Sequence, residues 1–160
     1  MSYATTDLCD AHPEAQTCEP IFGDFGGRTA FFGPIKTLKV FEDNALVRAT
    51  LETAGEGRVL VVDGGGSTRC ALFGGNLGQL AVKNAWAGVV VYGLIRDSIE
   101  ISQQDFGLKA LGTHPRKSEK GLHTGHADRV VTFAGVTFKP GAWLYADADG
   151  VLVSDQPLHD

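Results

Sequence analysis

The chain is short of cysteine, of positive charge and of long apolar runs, and each shortage excludes a class of protein. Cys9, Cys18 and Cys70 are an odd, widely spaced set with no C-x-x-C pair. That is not a disulfide framework, and it fits a reducing, cytoplasmic setting. No His is placed beside any of them to make a reactive thiolate. Lys and Arg total 14 against 19 Asp and Glu, a net charge of −5. Binding along a phosphate backbone needs a basic face, so direct nucleic-acid binding is not expected. An acidic protein can still dock on a basic partner. The longest apolar run, around residues 87–95, is far short of the roughly 20 residues that span a bilayer. The N-terminus lacks the basic-then-apolar pattern of a secretion signal, so no membrane association is expected. Repeats, heptads and low-complexity tracts are absent too.

What is present reads as one α/β domain. Apolar residues at 43% and charged residues at 21% are ordinary for a soluble globular chain. A length of 160 residues suits a single domain, 1–160, with a proper core. The 21 glycines imply many tight turns or close backbone approaches. Residues 59–97 carry the organisation. Val59-Leu60-Val61-Val62 and Gly88-Val89-Val90-Val91 are continuous apolar runs, as expected of strands covered on both faces. Between them lie a glycine-rich loop and a helix over about 76–84, on which Leu77, Leu80 and Ala81 share one face. This is the pattern of a βαβ unit. Ligands in open α/β sheets collect beyond the carboxyl ends of the strands. That rule puts Arg96 and Asp97, at the end of the second strand, beside the turn Gly74-Gly75-Asn76-Leu77.

The flanking segments read less sharply. Residues 7–11 form a short helix ended before Pro13. Residues 19–22 read as extended and 25–28 as a turn. Residues 31–40 alternate as a strand, with Pro34 favouring an edge or a strand start. Asp43 or Asn44 caps a helix over about 45–53, whose Leu46, Val47 and Leu51 face the sheet. Residues 106–111 are a strand or a short helix, and 113–125 a surface loop. The last third is β-rich: a hairpin over 129–138 turning at Ala134-Gly135, then strands over 143–146 and 151–153 joined by a turn.

Several motifs carry a chemical and a structural reading side by side. The loop Asp63-Gly64-Gly65-Gly66-Ser67 can hold an anion on its N–H groups or be a tight turn. It is no G-x-G-x-x-G fingerprint and no G-K-[ST] follows, so a nucleotide site is not expected. Gly74-Gly75-Asn76-Leu77 is a helix start, where free N–H groups favour a carboxylate or phosphate. Arg96 can grip a carboxylate bidentately and Asp97 can hold a hard divalent ion; the alternative is a surface ion pair. Asp147 and Asp149 lack the rest of an EF-hand. His114, His123 and His126 lack the ligand placement of a zinc site.

Together, the segments Val61-Val62-Asp63-Gly64-Gly65-Gly66-Ser67, Asn84-Ala85-Trp86-Ala87-Gly88, Tyr92-Gly93-Leu94-Ile95-Arg96-Asp97 and Trp143-Leu144-Tyr145-Ala146-Asp147-Ala148-Asp149-Gly150 resemble the family called regulator of ribonuclease E activity A. Phe25-Gly26-Gly27-Arg28 and Phe41-Glu42-Asp43-Asn44 fit as well, and the resemblance covers about residues 7–154. It implies a swivelling β/β/α three-layer sandwich, a single α/β domain assembled as a ring-shaped homotrimer with its site between subunits. The family includes 4-hydroxy-4-methyl-2-oxoglutarate aldolases, which also decarboxylate oxaloacetate, and members that inhibit ribonuclease E. For this chain the resemblance implies that Arg96 binds pyruvate and that Asp97 holds a divalent cation, Mg²⁺ or Mn²⁺. Gly74, Gly75, Asn76 and Leu77 would offer backbone N–H groups to the substrate carboxylate. The aldolase pattern has an Asp with twenty residues between it and the Arg-Asp pair, and here that position is Gly75. The expected activity is therefore a metal-dependent pyruvate-releasing lyase of small 2-oxo acids. The alternative is a non-catalytic, protein-binding inhibitor of ribonuclease E-type RNA degradation.

Overall fold

The computed structural model describes residues 3–121 and 125–159. In chain order the elements are α1 (Thr5–Ala11), β1 (Gln16–Thr17), β2 (Gly23–Asp24), β3 (Phe31–Lys39), α2 (Ala45–Leu51), β4 (Val59–Asp63), β5 (Ala71–Phe73), α3 (Gly75–Lys83) and β6 (Gly88–Ile95). They continue with α4 (Ser98–Ile101), β7 (Gly107–Thr113), β8 (His126–Ala127), β9 (Val131–Phe133), β10 (Val136–Phe138), β11 (Trp143–Asp147) and β12 (Gly150–Ser154). The result is a mixed α/β domain built on a curled sheet in the order β1-β12-β11-β3-β4-β6-β7-β2, with β5 added on β6 and β8 on β3.

Strand β3 makes the sheet curl by changing partners along its length. Its first residues pair antiparallel with β11, Trp143 opposite Pro34 and Tyr145 opposite Phe32. From Ile35 onwards it pairs parallel with β4, Ile35 opposite Val59. Pro34 therefore sits early in a strand that becomes interior only after it, at a point where the β11 side alone is paired, in keeping with the edge or strand start its ring favours. The reason is positional. Ile35 N–H donates to Ala142 O at 2.8 Å, so the neighbouring Pro34 nitrogen faces the other side, before β4 has begun. The N–H that proline lacks has no partner to lose there.

The continuous apolar runs of β4 and β6 are buried on both faces, with the usual alternation hidden inside them. Leu60, Val62, Val89 and Val91 pack with Val47 and Leu51 of α2 and with Leu77 and Ala81 of α3. Val59, Val61 and Val90 point the other way, into a core with Ile35, Phe133, Phe138 and Leu144. Each such side chain contributes about 1.5–3 kcal/mol when fully buried. The two strands are parallel neighbours, as a βαβ unit requires. The unit holds one strand more than its sequence suggested: β5 leaves the glycine loop, pairs with β6, and leads directly into α3.

Other boundaries differ locally. Residues 106–111 belong to a strand, β7, parallel to β6. Residues 19–22 carry no strand; the short β2 follows them. Asn44 holds the N-cap position of α2 without a side-chain cap bond, and the residue before it, Asp43, supplies the acceptor, its Oδ1 taking the Ala45 N–H at 2.9 Å. The loop after β7 is fastened rather than loose: Ala71 N–H donates to Arg116 O at 2.7 Å, and Gly121 N–H donates to Asp43 Oδ2 at 2.6 Å. The Ala134-Gly135 turn has positive φ at both residues, 52° and 73°, the twist a two-residue hairpin needs. No helix among the described residues is long and apolar enough to cross a membrane.

Gly88 and Gly107 stand opposite each other at the start of β6 and β7. A Cβ on either would run into the ring of Phe31, the first residue of β3. We expect Gly107→Ala to destabilise the fold by about 1–3 kcal/mol, the usual cost of overpacking. Thermal denaturation followed by circular dichroism reads this, and an unchanged melting temperature would show that Phe31 has room to move.

Candidate functional site

The carboxyl end of β6 is pinned to β5 before it turns. Arg96 N–H donates to Phe73 O at 2.8 Å. Asp97 then adopts a left-handed conformation, φ 61° and ψ 40°, and the chain enters α4. Asp is among the few non-glycine residues that tolerate this region. The turn aims the Asp97 carboxylate back at the start of α3, where Oδ2 accepts the Gly75 N–H at 2.9 Å. Gly74, the residue before that helix, has no side chain to cap it. Asp97 therefore supplies from a distant strand the acceptor that a first-turn N–H needs. Gly74 makes this approach possible, since a Cβ there would lie 3.0 Å from Asp97 Oδ2.

These residues line a cavity of about 480 Å³. Gly74, Gly75, Asn76, Leu77, Arg96 and Asp97 all face it, so the residues singled out in the sequence converge at one place. Arg96 and Asp97 do not pair with each other, and Arg96 has no ion-pair partner among the described residues. A surface ion pair is thus not what the dipeptide forms. The opposite walls come from Asn44 and Arg48 on α2 and from Lys117, Ser118, Glu119 and Lys120 after β7. Sequence reading missed this second group. Residues 113–125 read as a surface loop, yet Ser118 is only 5% exposed. The available signal was that this loop follows a parallel strand, where α/β sheets gather their ligands.

Gly75 is an ordinary helical residue without positive φ. Its missing side chain is not empty space. A Cβ at Gly75 would run into the carboxylate of Glu100, which comes from α4 and also accepts a hydrogen bond from Gln79 Nε2 at 3.2 Å. A carboxylate therefore stands against position 75, though another residue supplies it. Glu100 was not foreseen, because α4 was not.

The remaining motifs stay structural. Asp63 is buried, accepts the Gly65 N–H at 2.9 Å and meets Lys39 Nζ at 3.1 Å, while Gly64 and Gly66 donate to Tyr92 O. The loop is a tight turn and does not line the cavity. Asp147 accepts from the N–H and hydroxyl of Thr5 and from Asp149 N–H. His114 and His126 sit apart from any metal-binding cluster, and His123 lies outside the described residues; among those described, no three His, Cys, Asp or Glu group together. Burial pushes the Cys18 thiol up to about 12, against the opposing pull of Lys109, so it is no ready nucleophile.

A family model described as RraA-like, aldolase/RraA, matches residues 5–153. A protein of Burkholderia mallei named "Putative 4-hydroxy-4-methyl-2-oxoglutarate aldolase" is 57% identical over 164 aligned positions, covering 99% of each chain. The structure called the RNA-processing inhibitor RraA from Thermus thermophilis superposes with a TM-score of 0.94 at 49% identity, covering 98% of this chain and 95% of that one. A Geobacillus kaustophilus structure, named an S-adenosylmethionine:2-dimethylmenaquinone methyltransferase, superposes equally well at 50% identity, covering 98% of this chain and 97% of that one. On the match of sequence and fold together, the chain belongs to the RraA-like, aldolase/RraA family.

Proposed function

We propose that this protein is a carbon–carbon lyase that cleaves 4-hydroxy-4-methyl-2-oxoglutarate and related 2-oxo acids to release pyruvate, and that it also decarboxylates oxaloacetate. The observation that carries the reading is the convergence at one cavity of Arg96, Asp97 and the start of α3, with a second carboxylate, Glu100, standing behind the lining against Gly75. The aldolase name of the 57%-identical relative supports it.

In this reading Arg96 clamps the substrate carboxylate, and the first N–H groups of α3 fix its orientation. Glu100 takes the proton from the hydroxyl of the bond being cleaved, a carboxylate standing against position 75 where the aldolase pattern has an Asp. Decarboxylation of oxaloacetate has no such hydroxyl and needs no such base. A divalent cation, Mg²⁺ or Mn²⁺, fits Asp97: Oδ2 is taken by Gly75 N–H, which leaves Oδ1 free, and hard ions that keep most of their waters need only one or two carboxylates. When bound, such an ion stabilises the charge developing on the pyruvate enolate as a Lewis acid. A methyltransferase reading is disfavoured, because a cavity walled by Arg48, Arg96, Lys117 and Lys120 suits an anion better than a cationic sulfonium.

We also propose a homotrimer. Ile99 on α4, two residues after Asp97, is 84% exposed, and Val82 in the last turn of α3 is 40% exposed, apolar surface that a second copy would cover. A second functional reading rests on the 49%-identical Thermus relative: docking of this acidic protein on a basic segment of a ribonuclease E-type enzyme. Capture of that segment by the purified protein would support it, and it does not require the cavity.

Asp97 does more than line the cavity, since it caps α3, so Asp97→Ala would remove a cap worth about 0.5–2 kcal/mol. Asp97→Asn keeps an acceptor for Gly75 N–H and is the cleaner test. It should retain its melting temperature and lose metal-stimulated cleavage by about 10²-fold or more, the scale of a displaced charge stabiliser. Full activity would remove Asp97 as the ligand.

Arg96→Lys should raise the pyruvate inhibition constant by about tenfold, because a point charge cannot replace a planar bidentate clamp. Glu100→Gln should slow aldol cleavage by about 10²- to 10⁴-fold while sparing oxaloacetate decarboxylation. Equal losses in both reactions would rule out the proton-transfer role. Sedimentation should give about three times the 17.0 kDa chain mass, and a clean monomer would sink the trimer.

A further inference from the structure

The turn Phe25-Gly26-Gly27-Arg28 stands out in the sequence but has no part in the proposed chemistry. In the fold it runs beside the residues that follow α4. Gly27 N–H donates to Gln104 O at 2.9 Å, and Arg28 N–H donates to Phe106 O at 3.1 Å. The Arg28 guanidinium meets the Asp105 carboxylate through two bonds, of 2.6 and 3.0 Å. Residue 104 is thus anchored through its own backbone and through both of its neighbours. From that anchor the Gln104 side chain reaches back to α3, where Nε2 donates to Gly75 O at 3.0 Å. A carbonyl has two lone pairs, so Gly75 O can take this bond and still serve its helix.

Gly75 is therefore held at both of its backbone groups by one short segment. Asp97 Oδ2 takes its N–H at 2.9 Å, and Gln104 Nε2 gives to its C=O. The next two N–H groups of α3, on Asn76 and Leu77, have no hydrogen-bond partner among the described residues, and both residues line the cavity. They are the free first-turn donors that a bound carboxylate would meet. Their direction depends on how that first turn is seated. Gln104 does not itself line the cavity.

The pose of the Gln104 amide works against stability in two ways. Its Oε1 is buried with no partner. Exchanging the ends of the amide would set one oxygen against another at Gly75 O, so the donor is used and the acceptor left alone. Room for the amide comes from Gly78, where a Cβ would run into it. Glycine inside a helix is unfavourable against alanine. Buried polar atoms are rarely left unpaired, and one that is calls for a reason other than stability.

We propose that Gln104 is a positioning residue for the anion-binding start of α3. By holding Gly75 C=O while Asp97 holds its N–H, it fixes the Asn76 and Leu77 N–H groups in the direction of the substrate carboxylate. This rests on the lyase reading for the carboxylate that those groups take. The turn over residues 25–28 stands behind it as the anchor of residue 104. Gln104 touches no reacting atom and takes no part in breaking the bond.

Calorimetry with pyruvate, in the presence of Mg²⁺, reads this role without turnover. Gly78→Ala puts a methyl group where the Gln104 amide lies and favours the helix at the same time. It should keep or raise the melting temperature and weaken pyruvate binding about three- to tenfold, the scale of one hydrogen bond. Gln104→Ala should weaken pyruvate to the same degree. The double variant should be no worse than either, because the amide can be lost only once, whereas independent effects would multiply. Unchanged affinity in both single variants, losses that multiply in the double variant, or a loss in Gly78→Ala that comes only with a lowered melting temperature would each overturn the proposal. So would a wild type that does not bind pyruvate. The two readings also separate: a chain that shows these losses but cleaves no oxo acid keeps the positioning role and loses the lyase, and a chain that cleaves while Gln104→Ala binds pyruvate like the wild type does the reverse.

Discussion

The hydrogen bond from Gly75 N–H to Asp97 Oδ2 is the joint on which the site depends. It ties the end of β6 to the start of α3 across 22 positions of sequence, and it exists because Asp97 is left-handed. The same turn sends the chain into α4, which brings Glu100 against Gly75. A single unusual backbone conformation thus caps one helix, starts another and sets two carboxylates beside the same glycine. Local strain of this kind persists only where surrounding structure enforces it, and it collects at functional sites. Here the enforcement is visible: β6 is buried along nearly its whole length and its end is pinned to β5 through Arg96 N–H.

The sheet beneath this joint has its own constraint. β3 must serve an antiparallel neighbour in its first half and a parallel one in its second, which curls the sheet and creates two cores on opposite faces. Phe31 fills the corner where the strands begin, and it fits only because Gly88 and Gly107 carry no side chains. The described unpaired side-chain atoms, Asn44 Oδ1, Ser118 Oγ and Gln104 Oε1, lie around the cavity or against the start of α3. Apolar burial on both faces of the sheet stabilises the fold.

Much of this was readable from residues alone. The β4–α3–β6 unit, the apolar faces of α2 and α3, the two-residue turn at Ala134-Gly135 and the last hairpin all follow from hydrophobic period and turn chemistry, which are local properties of the chain. Arg96, Asp97 and the 74–77 turn were found because ligands collect at strand ends, and strand ends can be counted along a sequence. Asp97 as a helix cap could not be found this way, since its acceptor role depends on a donor far away in the chain.

What the sequence determined by itself was the main elements, without β5 and α4, and the family to which their motifs belong, because periodicity, capping and turn residues act over a few positions. Tertiary structure alone decided which chain segments share the cavity. Pro34 is tolerated in a strand that becomes interior because pairing with β4 begins only at Ile35. Glu100 came to stand against Gly75 because Asp97 turns left-handed. Ser118 was buried because the loop after β7 is bonded to β5 and to Asp43. Each of these is a contact between residues distant in sequence, and no local pattern encodes such a contact, since it arises only when the apolar faces of the sheet and helices close on one another.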